Sequence, residues 1–141
     1  MELNISNAEM IVMRIVWSLG EARVENVVDQ VRDCQKWSVA TVKTLLGRLV
    51  KKGVLSTTKV GRCFVYQPVM SECDAVQLMG EEFLSKVCVT KQAQLLDEMI
   101  EASALTETDR KNLIESLTKK EVVSKKSCNC LKDIDEVCLH I

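Results

Sequence analysis

Three cysteines and the single histidine of this 141-residue chain gather at its C-terminal end, as Cys128-x-Cys130 and Cys138-x-His140. Soft thiolates select Cu(I) and also suit Zn(II), and three sulfurs with one imidazole nitrogen make up a tetrahedral zinc set. Thiolates one residue apart can also bridge neighbouring Cu(I) ions. Closely spaced exposed thiols oxidise as well, so the tail by itself leaves metal uptake and a redox response both open. The remaining cysteines weigh differently. Cys63 falls in a strand-like run, and Cys73 and Cys88 in helix-like ones, where a thiol is expected to pack as a small apolar group. Cys34 follows an amphipathic run, and nothing marks it as a ligand.

A second set of residues suits a polyanion. Between Asp33 and Glu72 there is no carboxylate side chain, while Lys36, Lys43, Arg48, Lys51, Lys52, Lys59 and Arg62 all fall in that stretch. Each neutralised phosphate releases counterions, and a neighbouring carboxylate would oppose this. Within the window, Ser38, Ala40, Thr41, Lys43, Thr44, Gly47, Arg48 and Lys51 share one face at helical spacing, opposite Val42, Leu45, Leu46 and Leu49. Small residues permit close approach to a groove, while hydroxyls and cations meet base edges and phosphates. The candidate DNA-reading residues are therefore Ser38, Ala40, Thr41, Lys43, Thr44, Arg48 and Lys51, with Lys59 and Arg62 reaching the adjacent backbone.

The elements that must position these residues are legible in turn. Ser6-x-x-Glu9 is a capping box, and Val12, Ile15, Val16 and Leu19 follow at helical spacing before Gly20. A second helix is expected from about Val24 to Asp33. A third starts after Ser38 and runs to Gly53, with Val39 and Val50 extending its apolar stripe. The period then shortens: Leu55–Lys59 and Cys63–Gln67 read as strands joined at Val60-Gly61-Arg62, and Pro68 closes the hairpin. Three helices and a two-stranded ribbon outline a winged helix-turn-helix. Beyond it the chain reads as helix only, opened by Ser71-x-x-Asp74, by a run from about Lys91 to Glu101, and by Thr106-x-x-Asp109.

The chain is thus expected to be mainly α with a small β-hairpin wing. It divides into a winged-helix DNA-binding domain over 1–70, a three-helix dimerisation lobe over 71–118, and a linker with a Cys/His-rich metal-binding tail over 119–141. Short amphipathic helices bury little by themselves, and a second copy is the natural cover for the lobe. The formal net charge of −1 conceals a split. Residues 1–70 hold ten Lys/Arg against six Asp/Glu, a net +4, and residues 71–141 hold nine against fourteen, a net −5. No apolar run approaches the ~20 residues of a membrane span. The start, Met-Glu-Leu-Asn-Ile-Ser, lacks the basic-then-apolar pattern of an export signal, so a reducing cytoplasm is expected. No paired carboxylates or Cys–His couple fall within a structured stretch, which argues against an enzyme.

Three segments carry a resemblance. They are Ile5-Ser6-x-Ala8-Glu9-x-x-Val12-Met13-x-x-Val16-Trp17, Ser38-Val39-Ala40-Thr41-Val42-Lys43-Thr44-Leu45-Leu46-x-Arg48-Leu49-Val50, and Gly61-Arg62-x-Phe64-Val65-Tyr66. Together they resemble the penicillinase-repressor family, which includes β-lactam-responsive repressors and copper-responsive repressors of the CopY type. Leu105-Thr106-x-x-Asp109 and Leu113 resemble that family's last dimerisation helix. The resemblance implies a dimeric repressor on a palindromic double-stranded operator. For the copper branch it implies Cu(I) as inducer, a DNA-bound form that is either Zn(II)-loaded or metal-free, a copper chaperone as candidate partner and no membrane. That branch ends in two Cys-x-Cys pairs set closer together than here; this tail keeps the first pair, inserts seven residues and ends in Cys-x-His. The expected ligands are Cys128, Cys130, Cys138 and His140. A β-lactam-responsive repressor inactivated by proteolysis, which needs no such tail, and a metal-buffering protein are the competing readings.

Overall fold

The computed structural model describes residues 3–128, 130 and 131, and it divides into two compact units, Met1–Glu81 and Glu82–Ile141. In the first unit, α1 (Asn7–Leu19), α2 (Val24–Val31) and α3 (Val39–Lys51) precede a hairpin of β1 (Leu55–Val60) and β2 (Cys63–Pro68). The start of α1 is the expected capping box. Ser6 Oγ accepts from the Glu9 amide at 3.1 Å, and the Glu9 carboxylate accepts from the Ser6 amide at 3.3 Å. Val12, Met13 and Val16 of α1, Val27 and Val31 of α2, and Val42, Leu45, Leu46 and Leu49 of α3 bury one face of each helix in a common core. Val54 and Leu55 at the root of the wing complete it. Val39 is the exception to the expected stripe: at the first turn of α3 it lies half in solvent, 50% exposed.

How α3 ends decides where the wing goes. Gly53 adopts φ +78°, which an L side chain resists, and two reverse bonds close the helix. The Gly53 amide donates to the Val50 carbonyl at 3.0 Å, and the Val54 amide to the Leu49 carbonyl at 3.0 Å. This is a Schellman turn, and its customary apolar contact is available because Leu49 and Val54 are both buried. The strands pair antiparallel, from Leu55 opposite Pro68 to Val60 opposite Cys63. Gly61 at φ +63° makes the tight turn at the tip. On its other edge β2 is tied to the α1–α2 connection, where Ala22 and Tyr66 exchange two backbone bonds of 3.0 and 2.8 Å. Pro68 is the last residue of β2 rather than a breaker before its end; it lies on the terminal pair, where its missing N–H costs least. Helix α4 (Glu72–Ser85) starts under Ser71, whose hydroxyl accepts from the Asp74 amide at 3.1 Å. Its Ala75, Leu78 and Met79 pack on the core, which carries the first unit on to Glu81.

In the second unit a short 3₁₀ turn (Val89–Lys91) leads into α5 (Gln92–Ala102), and α6 (Glu107–Lys119) follows. Thr106 and Asp109 form the second capping box, and its amide and hydroxyl bonds hold the Asp109 carboxyl below its usual range. Neither α5 nor α6 buries a single residue within the chain, while Leu96, Met99, Ile100, Ile114 and Leu117 stand about half exposed or more. Two amphipathic helices are fully formed here, yet among the described residues they have no core of their own.

Candidate operator-binding face and cysteine cluster

The outer face of α3 is as the spacing predicts. Ser38, Ala40, Thr41, Lys43, Thr44, Arg48 and Lys51 are all exposed, as are Lys59 and Arg62 on the wing. Among the described residues, none of Lys43, Arg48, Lys51, Lys59 and Arg62 forms an ion pair. Their charge is therefore free to meet phosphates. Three hydroxyls at the start of the face are partly committed. Ser38 caps the helix, its Oγ accepting from the Thr41 amide at 3.1 Å and lying 3.0 Å from Thr41 Oγ1. Thr44 donates to the Ala40 carbonyl at 2.9 Å. Such bonds fix the rotamers of these side chains, and Thr44 keeps an oxygen able to accept. On the wing, Lys59 is paired opposite Phe64, which is 50% exposed beside it.

Lys52, one residue beyond this face, does something else. Its ammonium is 2.6 Å from a Glu9 carboxylate oxygen and 2.6 Å from the Asn4 carbonyl. Glu9 is the one charged residue buried among the described residues, at 2% exposure. Burial raises its pKa, but the Lys52 hydrogen bond, the Ser6 amide and the Lys52 charge together outweigh burial and hold the carboxyl below its usual 4.5. Thus Lys52, counted in the basic window, is withdrawn from the polyanion face and clamps the start of α1 to the end of α3.

In the second unit the sulfurs of Cys88, Cys128 and Cys130 lie within 4.8 Å of one another. Cys88 and Cys128 are half-buried and Cys130 is exposed. Cys88 Sγ is 3.4 Å from Cys128 Sγ and 3.1 Å from Thr90 Oγ1. The Cys130 amide donates to Cys128 Sγ at 3.4 Å, the kind of bond that favours a thiolate. Hydrogen bonds from the Thr90 hydroxyl and amide lead the causes that lower the Cys88 thiol to about 6, against opposing desolvation. Three thiolates each about 2.3 Å from one tetrahedral ion stand roughly 3.8 Å apart. Sulfurs all within 4.8 Å of one another reach that spacing with small adjustments of flexible side chains, so the donor set fits a soft ion.

This cluster corrects one expectation. Cys88 does not pack as helix filler; α4 stops at Ser85, and Cys88 sits in the turn before the 3₁₀ segment with its sulfur toward the tail. Its neighbours explain the stop, since Val87-Cys88-Val89-Thr90 is a nearly continuous β-branched run of poor helix formers. Cys73 is exposed rather than packed, Cys63 is half-buried in β2, and Cys34 is exposed. Cys128 and Cys130 lie together in this cluster. Cys138 and His140 lie outside the described residues.

An exposed cationic helix in a three-helix unit with a two-stranded wing defines a winged-helix DNA-binding protein, here carrying a thiol cluster in a separate unit. The penicillinase repressor family model matches residues 5–127. An uncharacterized 16.5 kDa protein in the ptsI 3' region of Latilactobacillus sakei is 38% identical over 90% of this chain and 88% of its own. The methicillin resistance regulatory protein MecI of Mammaliicoccus sciuri is 30% identical over 82% of this chain and 94% of its own. A solved CopR repressor structure is 64% identical, covers 49% of this chain and 100% of its own, and has a TM-score of 0.42. The chain belongs to the penicillinase repressor family, and it is a DNA-binding transcriptional repressor of that family.

Proposed function

We propose that this repressor responds to copper: two copies hold a palindromic operator in the cytoplasm, and Cu(I) uptake by the C-terminal thiols releases it. The observation that carries this reading is the gathering of the Cys88, Cys128 and Cys130 sulfurs within 4.8 Å, a soft donor set that a β-lactam response cut by proteolysis has no use for. Cys138 and His140 are the further tail donors of the reading, and the DNA-bound form it assigns is the zinc-loaded or metal-free dimer. A bound soft cation supplies charge neutralisation among crowded thiolates and a crosslink between the segments that carry them. The chain's own residues do the rest. Ser38, Ala40, Thr41, Lys43 and Thr44 enter the major groove, while Arg48, Lys51, Lys59 and Arg62 hold the flanking backbone. The uncovered apolar faces of α5 and α6 support pairing of two copies. A copper chaperone is the fitting donor in a compartment that holds little free Cu(I).

For release, Cu(I) must bind the DNA-free form more tightly, by about 1.4 kcal/mol for each tenfold loss in operator affinity. The test is an operator-binding titration under reducing conditions, before and after loading with Cu(I). Loss of affinity supports the reading, and unchanged affinity overturns it. The double substitution C128S/C130S is expected to leave DNA binding intact and to abolish the copper response. Absence of operator protection by the purified protein would instead favour metal buffering.

A further inference from the structure

We propose that Cys88 is a ligand for the thiophilic cation, supplied by the folded lobe rather than by the tail, so that metal uptake clasps the tail onto the turn between α4 and α5. The proposal rests on the copper reading above and adds to it where the third sulfur comes from and what its use does to the chain.

A Cys-x-Cys pair offers two sulfurs, one short of a trigonal set and two short of a tetrahedral one. The third donor in the described structure comes from forty residues upstream. The turn that carries it is held by its own backbone. The Lys86 amide donates to the Phe83 carbonyl, and the Val87 amide to the Leu84 carbonyl, each at 3.1 Å. The Lys91 amide returns to the Cys88 carbonyl at 2.8 Å, and the Gln92 side-chain amide caps the Leu84 carbonyl at 3.2 Å. These four bonds aim Cys88 before any ion arrives, so ordering it costs little on binding. Cys128, in contrast, follows a stretch after α6 with no regular secondary structure and a bend at Ser124, and its sulfur reaches Cys88 only by folding that stretch back. An ion shared by Cys88 and Cys128 therefore closes a loop that includes α5 and α6, the helices whose apolar faces await a partner. Occupancy is thereby coupled to how those helices are held, and the tail becomes part of the lobe instead of a pendant chelator.

The test uses the full-length protein, with C88S and, as a control, C73S, which removes an exposed thiol outside the cluster. Cu(I) affinity is read by competition with a chromophoric Cu(I) chelator, and tail closure by tryptic cleavage after Lys120, Lys125 and Lys126. Operator binding by the metal-free proteins reports that each variant folds. Wild type and C73S are expected to become resistant to cleavage on Cu(I) loading. C88S is expected to bind the operator normally, to lose at least about tenfold in Cu(I) affinity and to stay cleavable when loaded. C88S with wild-type affinity and wild-type protection overturns the clasp and leaves the copper reading standing. Wild type that takes up no Cu(I), or that forms a Cys88–Cys128 disulfide in its place, overturns both.

Discussion

Replacing Lys52 by methionine should cost the first unit more stability than replacing its partner Glu9 by glutamine, although the same ion pair is broken either way. The asymmetry follows from burial: the Glu9 side chain is 3% exposed and that of Lys52 is 35%. In K52M the carboxylate stays inside with only Ser6, through its amide and hydroxyl, to satisfy it. Stranding a fully buried charge costs about 3–5 kcal/mol, and partial access of water along the former lysine path lowers the expectation to about 2–3 kcal/mol. In E9Q, glutamine still completes the capping box, and the freed ammonium swings into solvent, so the loss is close to that of one hydrogen bond, about 1 kcal/mol. The double variant should recover most of the K52M loss, since the charge that made it expensive is gone. Urea unfolding followed by tryptophan fluorescence is the suitable assay, because both tryptophans, Trp17 and Trp37, lie in the first unit. A K52M variant within about 0.5 kcal/mol of wild type, or an E9Q loss larger than that of K52M, would refute the reasoning.

The same carboxylate sets a pH dependence. Its pKa is lowered on folding from 4.5, so its contribution is complete above that value and is lost as pH falls through the lower folded value. The unfolding midpoint should drop across that acid range in wild type and should be flatter in E9Q. Leu46→Ala, at a fully buried position on α3, should destabilise by about 2–5 kcal/mol in the same urea assay. Arg48→Ala should leave the urea midpoint unchanged and weaken operator binding; if Arg48 holds a phosphate, the salt slope of binding should also fall by about one.

What the sequence displayed and what it hid divide by range. Capping at Ser6, Ser38 and Thr106 was legible because each cap involves residues three apart, and the hairpin was legible because Gly61 permits its turn. The cationic face of α3 followed from helical period alone. The commitment of Lys52, which sequence places only in the basic window, was not legible because its partner, Glu9, is brought to it only by the packing of α1 against α3. Cys88 was hidden for the same reason at a similar separation, since periodicity carries no information about which distant thiol a tail will meet. One signal was available: the β-branched run around it argues against helix at that point, and so against a packed helical cysteine.

Beyond the hydroxyls of its first turns, where Ser38 caps the helix, α3 keeps packing and its outward cationic face on separate residues. Val42, Leu45, Leu46 and Leu49 hold the fold, the Gly53 turn aims the wing, and Ala40, Lys43, Gly47, Arg48 and Lys51 contribute to neither. Because a Cβ at Gly47 would meet nothing within 4 Å, even that position has room for a longer side chain. At these positions the surface proposed to select a DNA sequence can therefore drift, or be rewritten by design, almost without thermodynamic penalty. A lineage of such proteins would be able to exchange targets while each intermediate still folds.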